Sequence, residues 1–68
     1  MKIKINGIEE NIIREENLSL KKLLALKNLI PERVIVEYNC VIPAREKWDS
    51  IMIQEGDNIE IVQFVSGG

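Results

Sequence analysis

The residues best able to do chemistry stand at the end of the chain. Gly67-Gly68 follows directly on Asp57-Asn58-Ile59-Glu60-Ile61-Val62-Gln63-Phe64-Val65, with Ser66 between them. Ser66-Gly67-Gly68 has almost no side chain to pack and gains little from staying folded. Extended, the stretch from Val65 to Gly68 reaches roughly 13 Å beyond the element before it. Such a thin end, with a free carboxylate on Gly68, can enter a narrow active-site tunnel that a larger side chain would block. A competing reading is a frayed or appended terminus with no role, and the glycine pair alone does not decide between them.

Elsewhere the chemistry is sparse. The sequence has no histidine, which removes the usual general base near neutral pH and the commonest metal ligand. Its single cysteine, Cys40, forms no internal disulfide and suits a reducing compartment. One cysteine without histidine gives neither a zinc set nor a Cys-His pair. Glycine-rich phosphate loops are missing. Glu9-Glu10 and Glu15-Glu16 read as solvated surface. The protein is therefore not expected to be an enzyme, and it is expected to bind no metal and no cofactor of its own.

The elements that position the tail follow from periodicity. Lys2-Ile3-Lys4-Ile5 alternates as a half-buried strand does, and Asn6-Gly7 favours a type I′ hairpin turn. The return strand is expected from Glu9 to Arg14. Ser19 can cap a helix from Leu20 to Asn28, whose Leu20, Leu23 and Leu24 form the apolar stripe. Asn28 and Pro31 end it. Val34-Ile35-Val36-Glu37-Tyr38 is a third strand, Asn39-Cys40 a turn, and Val41-Ile42 a short fourth strand closed by Pro43. Ala44 to Asp49 forms a helical turn whose Trp48 lids one end of the core. Glu55-Gly56-Asp57 is a turn. In the last strand Ile59, Ile61 and Gln63 face one side and Glu60, Val62 and Phe64 the other. Apolar residues on both faces place it at the sheet centre, parallel to the first strand.

The expected fold class is α+β with a β-grasp plan: a mixed sheet of four to five strands, one main helix packed on one face, and a short helical turn near 44–49. At 68 residues, with 46% hydrophobic composition, the chain is one small globular domain. Residues 1–65 are assigned to the domain and 66–68 to a flexible tail. A net charge of −2 without a basic stripe argues against nucleic acid. No apolar run is long enough to span a membrane and no secretory signal is present, so the expected location is the cytoplasm. Nothing requires more than a monomer.

At this level the sequence resembles the ThiS-type sulfur carrier proteins of thiamine biosynthesis, members of the ubiquitin-like ThiS/MoaD superfamily. The resemblance covers essentially the whole chain and is strongest from Asn39 to Gly68. It rests on Asn39, Pro43, Arg45, Trp48, Gly56-Asp57, Ile59-Glu60-Ile61-Val62, Phe64 and Gly67-Gly68. Three positions depart from it. Cys40 stands where the family usually has Gly, Pro43 lies one residue early with Ala44 in its place, and Ser66 replaces a common Gly.

The resemblance implies a carrier acted on by other enzymes. An E1-like, ThiF-type adenylyltransferase would consume ATP to adenylate the Gly68 carboxylate. A persulfide derived from a cysteine desulfurase would convert the adenylate to a thiocarboxylate. A ThiG-type thiazole synthase would receive the sulfur. Gly67 would allow close backbone approach, and Val62, Phe64 and Val65 would form part of the docking patch unless they pack in the core. Cys40 receives no role. The alternatives are a MoaD-like small subunit of molybdopterin synthase, a ubiquitin-like modifier conjugated to lysines, and a TGS-like interaction module with an inert tail. The compact length and the Arg45-Trp48-Gly56-Asp57 pattern favour ThiS over MoaD.

Overall fold

The computed structural model describes residues 1–13 and 17–64. β1 (Lys2–Ile5) and β2 (Ile8–Asn11) form the expected antiparallel hairpin. Asn6 and Gly7 take φ angles of 52° and 79°, the left-handed pair that a type I′ turn requires. β2 differs from expectation: it starts at Ile8 and ends at Asn11. The two-residue turn leaves no gap before Ile8, which pairs directly with Ile5. Arg14 lies outside the described residues.

α1 spans Leu20–Leu26. Ser19 Oγ accepts from the Lys22 N–H at 3.0 Å, so the expected N-cap is present. Leu20, Leu23 and Leu24 are buried, while Leu26, off the stripe, is exposed. The helix stops short of Asn28 because Asn28 itself turns left-handed, with φ 59°. The N–H groups of Asn28 and Leu29 return to the carbonyls of Ala25 and Leu24, at 3.0 Å each. This is a Schellman closure with asparagine where glycine is usual.

β3 (Val34–Tyr38) and β4 (Asn58–Gln63) complete a four-stranded sheet of order β2-β1-β4-β3. β4 lies at the centre, parallel to β1 and antiparallel to β3, as its two apolar faces predict. Val41-Ile42 forms no strand; a single bridge joins Val41 to Tyr38. Asn39 and Cys40, at φ 48° and 71°, fold the chain straight back on Tyr38. Pro43, two residues on, has no N–H to extend a ladder.

One helical turn of 3-10 type covers Pro31–Arg33, and another covers Arg45–Ser50, the latter matching the expected turn near 44–49. Trp48 is more than a lid. It is 3% exposed and belongs to the same buried cluster as Ile3, Leu20, Leu24, Val36 and Ile59. Its indole N–H donates to the Pro43 carbonyl at 3.3 Å, so the polar edge of the ring is satisfied where the ring is buried. Each fully buried aliphatic side chain of this cluster contributes about 1.5–3 kcal/mol.

Candidate functional site

Because β4 leads toward Gly67-Gly68, the question is what holds β4 and what it displays. Its start is held by Asp57, one of the two buried polar residues among those described. Asp57 Oδ2 accepts from the Tyr38 hydroxyl at 2.5 Å and from the Gln54 N–H at 2.7 Å. Asp57 Oδ1 accepts from Asn39 Nδ2 at 3.1 Å. Asn39 Oδ1 in turn accepts from the Asn58 N–H at 2.8 Å. The β3 turn, the Gly56 turn and the first residue of β4 are thus tied into one network. Burial and the adjoining Asp57 carboxylate push the Tyr38 phenol up from 10.0 to about 12. Further along, Asn6 Oδ1 accepts from the Ile61 N–H at 2.7 Å, so the hairpin turn clamps mid-strand.

On its helix side β4 buries Ile59 and half-buries Ile61. Glu60, Val62 and Phe64 stand on the opposite face, with Val62 58% and Phe64 49% exposed. β3 presents Ile35 to the same face, directly paired with Val62 and 42% exposed. Core packing is therefore ruled out for Val62 and Phe64, and an apolar patch of Ile35, Val62 and Phe64 stands just before residue 65. Val65, Ser66, Gly67 and Gly68 lie outside the described residues. The structure brings together two of the residues assigned to docking and adds Ile35.

The sequence reading missed Asp57, Tyr38, Asn39 and Asn6 as side-chain anchors. The local signal for Asn39 was present, since Asn39-Cys40 takes the same left-handed pair of angles as Asn6-Gly7. Cys40 is exposed on that turn. Among the described residues no group of His, Cys, Asp and Glu is arranged to hold a metal ion, and no helix is long and apolar enough to cross a membrane. A cleft of about 670 Å³ between the hairpin and the end of α1 is lined by Ile8, Leu26 and Leu29. Its charged groups, Glu10 and Lys27, are spent on each other at 2.7 Å.

Comparison with known proteins bears directly on this arrangement. The family model for the ThiS family matches residues 2–68, and the chain belongs to that family. A crystal structure titled as the thiamine biosynthesis protein ThiS from Geobacter metallireducens is 35% identical, covers both chains completely and superposes with a TM-score of 0.81. A solution structure of a thiamine biosynthesis protein from the same organism has a TM-score of 0.83 and 30% identity, covering all of this chain and 88% of that one. Two curated relatives are named thiazole synthase. The one from Magnetococcus marinus is 38% identical and the one from Paramagnetospirillum magneticum 32% identical, each over all 68 residues. This chain spans 20% of the length of each. An uncharacterized protein, ycf40, of Trieres chinensis is 36% identical over 94% of this chain and 85% of its own length.

Proposed function

We propose that this protein is a sulfur carrier for thiamine thiazole synthesis, with Gly68 as its reacting residue. The observation that carries the reading is the ThiS family match, which extends from Lys2 through the Gly67-Gly68 pair. A carboxylate is a poor electrophile, because its charge must be displaced and its leaving group is oxide. A ThiF-type adenylyltransferase converts the Gly68 carboxylate to an acyl-adenylate, consuming ATP and releasing pyrophosphate. The terminal sulfur of a persulfide, derived from a cysteine desulfurase, attacks the acyl carbon and AMP leaves. A thiol then cleaves the acyl disulfide, freeing the thiocarboxylate. The thiocarboxylate is ionised near neutral pH and is a soft nucleophile.

The sulfur passes to a ThiG-type thiazole synthase. The two thiazole synthases that contain a stretch similar to this whole chain favour that partner over a molybdopterin synthase. The carrier binds no cofactor and contributes no catalytic side chain. The folded domain is recognised through Ile35, Val62 and Phe64, Val65 is a further docking residue, and Gly67 lets the backbone pass through a narrow opening. Reconstitution with thiazole synthase tests this reading. Carrier treated with the activating enzyme and sulfur donor supports thiazole formation, and carrier lacking Gly67-Gly68 supports none. Equal turnover with the shortened carrier would refute it.

A further inference from the structure

The face of the sheet opposite α1 carries a pair that the fold itself does not explain. Glu37 on β3 and Glu60 on β4 are direct cross-strand partners. Phe64 N–H donates to the Arg33 carbonyl at 2.8 Å, and Asn39 N–H donates to the Asn58 carbonyl at 2.8 Å. These bonds fix the phase of the ladder, so 37 and 60 form a hydrogen-bonded pair with Cα atoms about 5.5 Å apart and side chains side by side. Like charges placed so destabilise a sheet. Neither glutamate forms an ion pair with a described residue. The strand cations of this face stand elsewhere: Lys4 opposite Asn58, and Lys2 opposite Asn11 and 3.8 Å from Glu9. One step along the strands, Ile35 and Val62 pair, and Phe64 lies beyond them. Two uncompensated carboxylates thus border an exposed apolar patch.

We propose that this face docks a protein surface that sets an arginine or lysine between Glu37 and Glu60 and lays apolar side chains on Ile35, Val62 and Phe64. A guanidinium suits the site best, since its planar fork can donate to two carboxylates at once. The cost of the like-charge pair in the free carrier is then offset only in the complex. The choice of occupant, thiazole synthase, rests on the sulfur-carrier reading and on the thiazole synthases that carry a stretch similar to this chain.

The test uses the full chain and the thiazole synthase encoded in the same genome, with Kd measured by calorimetry at low and high salt. The Glu37→Gln/Glu60→Gln double variant binds at least about tenfold more weakly than wild type at low salt, and its affinity depends less on salt. Its Tm is unchanged or higher, because the repulsion is gone. Glu9→Gln, on the same face but facing Lys2 at 3.8 Å, keeps its Kd within about twofold. Wild-type binding that the double variant leaves unchanged in strength and salt dependence overturns this inference and spares the sulfur-carrier reading. No binding of wild type to the synthase, with thiazole still formed in the reconstituted reaction, overturns the inference alone. No binding together with no thiazole overturns both.

Discussion

On its helix side β4 presents Ile59, which has no exposed surface, and on its other side it presents Val62 and Phe64, which are 58% and 49% exposed. The two faces belong to one strand and differ by a step of one residue. The buried face is fixed by volume: Ile59 shares one buried cluster with Leu20, Leu23 and Leu24 of α1, so a smaller residue opens a cavity and a larger one overpacks. The outer face is under no such constraint. Its apolar residues do not contribute to the core, and its acidic pair works against the sheet. Stability is concentrated on one side of the strand, and recognition is left free to use the other.

Substitutions on the two faces should separate these roles. Ile59→Ala removes a fully buried side chain at the centre and costs about 2–5 kcal/mol, a large part of the stability of so small a domain. Chemical denaturation should show a sharply lower midpoint with a similar slope. Tyr38→Phe leaves Asp57 without its shortest hydrogen bond and costs about 1–3 kcal/mol. The same tyrosine sets an alkaline limit. Its proton is held more tightly in the folded state, so its contribution is complete below pH 10 and is lost as pH rises toward about 12. Thermal melts of wild type should fall across that window more steeply than those of Tyr38→Phe.

Smaller effects sharpen the contrast. Cys40 holds φ 71° without being glycine. Cys40→Gly should raise stability by roughly 0.5–1 kcal/mol, the left-handed penalty less the entropy of glycine. Phe64→Ser should change stability by less than about 0.5 kcal/mol while weakening capture by the partner. A loss of stability as large as that of Ile59→Ala would mean that the outer face belongs to the core after all.

The elements that local chemistry specifies were legible in the sequence. Asn6-Gly7 announced its turn, Ser19 its cap, and Leu20, Leu23 and Leu24 their face, because each depends on residues within one or two turns. The two-faced apolar pattern from Ile59 to Phe64 also placed β4 at the centre. The Asp57 network was not legible. Its bonds join Tyr38 and Asn39 to a residue 19 and 18 positions away, and nothing periodic marks such a pair. The end of β2 and the absence of a strand at Val41-Ile42 were set by tertiary pairing, which short apolar runs do not reveal. For the site, the alternation put Val62 and Phe64 on one face of the strand but left core packing open to them; their exposure is set by the fold, and Ile35 joins them only through the β3–β4 register.

The central claim is that sulfur is carried on Gly68, and intact mass reports it directly. The protein is incubated with ATP, a ThiF-type enzyme, a cysteine desulfurase and cysteine, beside a control lacking Gly68. The account predicts a gain equal to one oxygen replaced by sulfur, confined by fragmentation to Gly68 and absent from the control. An unchanged mass, with the same enzymes proven competent on another carrier, would contradict it.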